Sequence, residues 1–404
     1  MQNKKDLLSA GDYSLLCEFL VDERRGHKTM KRTLWMTDTY GDHNGVSMVL
    51  QAMLREIQAR DIPIDIMVCS NTLRPESHLI VLKPLSEFNI PLYRQQPMRI
   101  PNFLNIQRIF RKRKYDSILC STEGPMGLAA LYIKKLYAVK TSFYLHTDWI
   151  MFARQVMGME DPGLKRLQRV MRIFYKQFDN IFVLNSDQQK WLTGDLMKFD
   201  PSRIFMTAHW ADDIFIHHNT NSSGSPGPVK TGPVILFAGR ISKEKGVFEL
   251  PEIFRNASEK IPDLIMIIAG TGPSEKDLKN VFPEAEYTGW IDHAKLPEIY
   301  QTADLLILPS RFDTFSCVIL EALSCGLPVI AYNTKGPKDI VQDSVNGFLV
   351  NTGGEMSERI IEYFSDKSLQ TSFKKAALER AGDYTADNIL HQLLEDINIQ
   401  TSDH

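Results

Sequence analysis

No stretch of this 404-residue chain reaches the roughly 18 uninterrupted apolar residues that a membrane-spanning helix needs. Its opening, MQNKKDLLSAGDYSLLCEFLVDERRG, carries acids and no apolar core ending in small residues, so it does not read as a secretory signal. Cysteine is scarce. The five residues (17, 69, 120, 317 and 325) are odd in number and show no CxxC spacing. Cys69 and Cys120 each close an apolar run, so reduced core thiols in the cytoplasm are expected. Net charge is small, 47 Lys+Arg against 49 Asp+Glu, or -2, and no nucleic-acid partner is expected.

What is present reads as an ordinary globular protein of two domains, because 404 residues exceed a usual single core. The charge is unevenly spread. Residues 1–210 carry 30 Lys+Arg against 21 Asp+Glu (+9), and the remainder 17 against 28 (-11). The basic half is therefore the one expected to meet an anionic partner or surface. Short apolar runs (33–36, 64–69, 117–120, 141–145, 181–184) alternate with helical stretches, the pattern of a parallel, doubly wound sheet. The pattern resumes at Val234–Phe237 after HHNTNSSGSPGPVKTG (217–232), a Ser/Asn/Gly/Pro-rich linker that cannot bury a core.

The chain is organised around 305–341, LLILPSRFDTFSCVILEALSCGLPVIAYNTKGPKDIV. Leu305–Leu308 reads as a buried strand closed by Pro309 and Ser310, and Arg311–Ser316 as a polar loop. Cys317–Cys325 reads as a helix stopped by Gly326, and Leu327–Tyr332 as the next strand. This order sets a helix N-terminus beside strand ends, where unpaired N–H groups and the helix dipole favour a phosphate. Asp313 and Glu321, with seven residues between them, bracket the turn. One could hold sugar hydroxyls and the other a ribose diol, with the intervening amides of Phe315, Ser316, Cys317 and Val318 on the phosphates.

The region Pro309–Val329 resembles the nucleotide-sugar signature of retaining glycosyltransferases of family 4 (glycosyl transferases group 1), which have the GT-B fold. That signature is an acid, seven residues, Glu, then Ala, a small residue, Gly and Pro-Val. Glu321, Ala322, Gly326, Pro328 and Val329 are in place, while Asp313 stands where Glu is commoner. The carboxylate one methylene shorter still accepts hydroxyl hydrogen bonds. Ala238-Gly-Arg-Ile-Ser-Lys-Glu-Lys-Gly246 resembles the family's donor phosphate clamp. There Gly239 allows close approach, and Arg240 and Lys245 can reach one diphosphate. Thr37-Asp-Thr followed by Asn44-Gly45-Val-Ser47 resembles the family's first loop, with Gly45 admitting the diphosphate where a side chain would block it.

His146, Thr147 and Asp148 end the 141–145 strand, and the triplet resembles the family's cleft histidine. An imidazole there could orient donor sugar or acceptor hydroxyl and change protonation near neutral pH. Asn185-Ser186 resembles an acceptor-side loop. Gly270-Thr-Gly272-Pro273 fails as a dinucleotide fingerprint, since Glu275 holds the third glycine's place; it fits a tight turn bordering a nucleotide base. Arg99–Lys114, RIPNFLNIQRIFRKRK, has six basic residues and no acid, interleaved with apolar ones. It suits either an anionic membrane surface, with its apolar side in the headgroups, or a core helix with a solvated basic face.

The resemblance implies an α/β GT-B protein, two doubly wound Rossmann-like domains facing across a cleft. Residues 1–32 would be an extension, 33–216 the acceptor domain, 217–232 a linker and 233–380 the nucleotide-sugar domain. Residues 381–404 would cross back as a helix. The implied activity is retaining transfer of a hexose from a nucleotide sugar to a glycolipid or saccharide in cell-envelope glycan synthesis. Neither metal nor cofactor is implied, and no DxD-type pair suggests one. His146 and Asp313 would act at the reacting centre, and a cytoplasmic or peripheral-membrane location follows. A nucleotide-sugar 2-epimerase on the same fold and a non-catalytic nucleotide-sugar-binding protein are the alternatives.

Overall fold

The computed structural model describes residues 31–41, 45–90, 93–155, 157–216 and 232–397. The expected linker, apart from Gly232, and the expected N-terminal extension, apart from Lys31 and Arg32, lie outside the described residues. So do 42–44 of the first loop.

Nine strands fall in the first half: β1 (Thr33–Met36), β2 (Ile64–Cys69), β3 (Leu79–Leu82), β4 (Ser86–Ile90), β5 (Tyr93–Ile100), β6 (Ser117–Cys120), β7 (Lys140–Leu145), β8 (Asn180–Val183) and β9 (Ile204–Met206), counting described residues. Six follow in the second: β10 (Val234–Ala238), β11 (Ile265–Ala269), β12 (Glu286–Gly289), β13 (Leu305–Leu308), β14 (Val329–Tyr332) and β15 (Gly347–Val350). They make a parallel sheet of order β3-β2-β1-β6-β7-β8-β9, a parallel sheet of order β12-β11-β10-β13-β14-β15, and an antiparallel β4-β5 hairpin. The central strands are apolar on both faces because helices cover both sides. In β1, Leu34 and Met36 enter one core cluster while Trp35 enters the other, the two-residue alternation of a strand.

Both sheets are wound alike. The chain runs outward from β1 through β2 to β3, then returns to set β6 on the other side of β1. It does the same from β10 to β12, then sets β13 beside β10. Strand order therefore reverses between β1 and β6 and between β10 and β13. At such a reversal successive crossovers leave in opposite directions, and a crevice opens at the strands' carboxyl ends. This doubly wound pair of parallel sheets is the α/β architecture that the sequence implied.

Several contacts tie the halves together. Asn185 Nδ2 donates to the Thr314 carbonyl at 2.6 Å, and Ser186 N–H reaches Asp339 at 3.2 Å. Lys338 pairs with Asp187 at 2.6 Å, and Lys335 pairs with Asp148. The Ala386–Asp396 helix buries Leu390, Leu393 and Leu394, and its Asp387 pairs with Arg60 of the first half at 2.6 Å.

Of the two readings of 99–114, the structure shows a core helix with a solvated basic face. Phe103–Arg113 is a helix whose apolar side faces inward, with Ile106 and Phe110 at 0% and 3% exposure. Phe110 packs on Tyr115 and Tyr137, and Phe103 on Tyr132. That side is not free to enter headgroups. Of its apolar residues only Leu104 is exposed, alongside Asn105 and the cations. The physical reason is ordinary: an apolar stripe beside a sheet is buried by the sheet first. No described helix is long and apolar enough to cross a membrane, and Cys69, Cys120, Cys317 and Cys325 are unbridged.

Candidate functional site

The second-half reversal gathers most of the singled-out residues. β10 ends at Ala238, and Gly239 takes φ 139°, a conformation that side chains rarely adopt, with open space where a Cβ would stand. Arg240 is exposed and without an ion-pair partner among the described residues. Lys243–Lys245 forms one tight turn capped by Gly246 at φ 71°, where a side chain would strike the Pro309 carbonyl. Gly246 thus lets the loop after β10 touch the loop after β13.

Lys245 consequently meets Asp313, and the two form an ion pair. Asp313 is 8% exposed, and its Oδ2 is buried without a hydrogen-bond partner among the described residues. Ser316 precedes the Cys317–Ser324 helix at φ 79°, ψ 74°, a left-handed conformation costly for a residue bearing a side chain. Its side chain makes no capping bond, so the first turn keeps N–H groups to offer. Phe315 is buried and packs edge-on against His209, so only its backbone faces the turn.

Glu321 lies one turn into that helix. Tyr300, 2% exposed, donates its hydroxyl to Glu321 Oε2 at 2.6 Å, and burial raises the carboxyl's pKa. The Cys317 thiol marks where these charges meet. Burial first, then the carboxylates of Glu321 and Asp313, push it up to about 12, against the opposing pull of the Lys245 ammonium. Lys245 meets Asp313 in the loop that leads into this helix, and Glu321 lies one turn inside it, so the three gather about one helix start. At Gly272 a side chain would strike the Ile241 carbonyl, so the glycine lets the loops after β10 and β11 pack closely.

The first half supplies the facing side. Gly45 opens the Gly45–Ala59 helix with no described residue within 4 Å of where a Cβ would stand. His146 is 5% exposed at the end of β7, stacked on Tyr144 at 4.2 Å and on His209 at 5.5 Å. Its two ring nitrogens are buried without partners among the described residues. The expectation that His146 titrates near neutrality is corrected, because burial pushes its pKa down to about 3 and the ring stays neutral. The stack continues from His209 to Phe315 at 4.9 Å, joining the two halves beside the turn. Asp148 caps the Met151 N–H at 2.9 Å and pairs with Lys335, so it braces the cleft.

Some groups had passed unnoticed in the sequence. Asp38, in the Thr-Asp-Thr triplet, accepts from Thr122 Oγ1 at 2.6 Å and from the Met126 N–H at 3.0 Å, and burial lifts its pKa to about 6. His209 follows β9 as His146 follows β7, and that shared strand-end placement was a readable signal. Tyr300 and the Asp212–His293 pair (3.6 Å) had none, since the partners are distant in sequence. Among the described residues no group of three or more His, Cys, Asp or Glu is disposed to hold a metal ion.

Two Rossmann-like domains with chemistry-bearing loops at their strand reversals define a GT-B protein. A model for Glycosyltransferase Family 4 matches residues 43–209, and one for Glycosyl transferases group 1 matches residues 219–380. The chain belongs to the group 1/family 4 glycosyltransferases. It is 25% identical over 317 residues to a GDP-mannose-dependent alpha-mannosyltransferase of Corynebacterium glutamicum, covering 76% of this chain and 72% of that one. It is 33% identical over 257 residues to a 2-deoxystreptamine N-acetyl-D-glucosaminyltransferase of Niallia circulans, covering 60% and 65%. Among solved structures it resembles Anabaena HepE in complex with UDP, with TM-score 0.69, 16% identity, and coverage of 91% and 99%.

Proposed function

We propose that this protein transfers a hexose, with retention at the anomeric carbon and without a metal, from a nucleotide sugar to a glycolipid or saccharide acceptor in cell-envelope glycan synthesis. The observation that carries the reading is the Lys245–Asp313 ion pair in the loop leading into the Cys317–Ser324 helix, with Glu321 one turn inside it. Arg240 and Lys245 would bind the diphosphate, joined by the first-turn amides of Cys317 and Val318, and Gly239 and Gly45 would admit it. Glu321 would hold the ribose through the carboxylate oxygen that Tyr300 leaves free. Asp313 and the neutral His146 would take sugar and acceptor hydroxyls, since Asp313 Oδ2 and both ring nitrogens are buried and unpartnered among the described residues.

In the transfer, the acceptor oxygen would attack the anomeric carbon from the face that the diphosphate leaves. The carbon–oxygen bond to the β-phosphate breaks, and the departing diphosphate takes up the acceptor's proton. A neutral His146 is a hydrogen-bonding group in this scheme, not the base. The named relatives use or bind different bases, GDP for the mannosyltransferase and UDP for HepE, so the donor base is a matter for experiment. Labelled nucleotide sugars incubated with and without lipid extract test the reading, with anomeric configuration read by NMR. Acceptor-dependent product of the donor's own configuration supports it. A free epimer without acceptor, or no turnover of any donor, refutes it.

A further inference from the structure

The strands' amino ends, a full strand length from the cleft just described, carry a second cationic site. A cavity of about 550 Å³ opens there, lined by Arg32, Ile80, Ile109, Lys112, Arg113 and Lys114. Arg32 immediately precedes β1, and Lys114 lies three residues before β6, which fixes the cavity at the edge opposite the reversal crevice. We propose that this cavity binds a phosphate-bearing anion, independently of the transfer site.

The charge balance is the argument. Behind the lining, and not part of it, the buried Asp65 holds two of its cations, and its hydrogen-bonding capacity is already taken up. Arg113 reaches it at 2.9 Å, Arg32 at 3.1 Å and His78 at 3.3 Å, and the Tyr115 hydroxyl donates to it as well. Asp116 accepts the Arg32 backbone N–H at 2.8 Å. Lys112 and Lys114 are left exposed, with no ion-pair partner among the described residues. The Phe103–Arg113 helix ends here, and its carboxyl end favours cations; but a terminus worth about half a negative charge does not balance both lysines. Lys114 adds a second observation. It caps that helix at φ 52°, ψ 56°, a left-handed position that glycine fills without strain and lysine does not. That conformation sets Lys114 in the lining of the cavity, beside Lys112 and Arg113. The class of ligand is a phosphate or diphosphate, whether free in solution or carried on a lipid headgroup.

The test uses the full chain with Lys112→Ala and Lys114→Gly combined. Neither side chain has an ion-pair partner among the described residues, and glycine relieves the left-handed strain, so the fold is retained. Equilibrium dialysis with labelled inorganic pyrophosphate at low salt should show two equivalents bound to the wild type. The Lys112→Ala/Lys114→Gly protein should bind one fewer, as should a separate Arg240→Ala/Lys245→Ala protein. Sedimentation with vesicles of phosphatidylglycerol in phosphatidylcholine separates the sources. A loss of partitioning on the order of thirtyfold in the first variant assigns the site to lipid phosphate. Unchanged partitioning with the lost equivalent assigns it to a soluble phosphate. Pyrophosphate binding unaffected by the first variant overturns the proposal, whatever the vesicles show. The Arg240→Ala/Lys245→Ala arm reports on the transfer site alone, so either idea can fail without the other.

Discussion

The Lys245–Asp313 pair offers the sharpest separation of roles. Their side chains are 28% and 9% exposed. Two unit charges about 4 Å apart attract by about 4 kcal/mol at an effective dielectric of ~20. Partial exposure and desolvation should reduce the measured coupling to about 2 kcal/mol. A double-mutant cycle of Lys245→Ala, Asp313→Asn and the pair, followed by urea unfolding, reads that number. The functional split decides more. If Lys245 serves the diphosphate and Asp313 the sugar, Lys245→Ala should weaken nucleoside diphosphate binding and cost on the order of a hundredfold in kcat/KM. Asp313→Asn should lose a comparable factor in transfer while still binding the nucleoside diphosphate. Both binding constants are measurable by calorimetry. Were Asp313→Asn to lose nucleoside diphosphate affinity as fully as Lys245→Ala, Asp313 would be a mere counter-ion, and its assignment to the sugar would be wrong.

Two further expectations follow from burial and backbone. His146 is held near a pKa of about 3, whereas an unfolded histidine titrates near 6.5; its depressed pKa costs nothing above 6.5 and lowers stability as pH falls from there toward 3. At pH 5, His146→Asn should recover about 2 kcal/mol in urea relative to its effect at pH 7.5, and an equal effect at both values would contradict the buried neutral ring. Gly45→Ala should leave stability within about 0.5 kcal/mol yet weaken donor binding, because the space there is open. Gly272→Ala should cost more than about 2 kcal/mol through its clash with the Ile241 carbonyl, so equal melting temperatures for the two variants would refute the distinction.

Much of the fold could be read from periodicity, because parallel strands buried on both faces stand out as short apolar runs between helical stretches. β1, β2, β6 and β13 fell on the expected residues. β3, β4 and β5 did not announce themselves. Ser86–Ile90 and Tyr93–Ile100 form a polar hairpin whose pairing comes from cross-strand partners, not from an apolar signature. At the site, Asp313 and Glu321 were legible because one loop and helix start carry them in a fixed local order, and Lys245 because of the Gly-Arg…Lys-Gly frame after β10. Their partners were not: Tyr300 reaches Glu321 from another helix, and His209 reaches Phe315 across the cleft. Protonation of His146 was misread for a related reason. Identity and strand-end position say where an imidazole sits, but its pKa depends on its burial, to which the stacked rings of Tyr144 and His209 contribute.

Thermal unfolding across a panel of uridine, guanosine and adenosine diphosphate sugars, run on the wild type and on Arg240→Ala/Lys245→Ala, bears most directly on all of this. A donor at a hundred times its dissociation constant adds about 2.7 kcal/mol to the folded state. One nucleotide sugar should raise the wild-type melting temperature and fail to raise that of the double variant. Stabilisation that survives the loss of both cations, or a wild type indifferent to every member of the panel, would contradict the assignment of the loop between Gly239 and Gly246 to a sugar diphosphate.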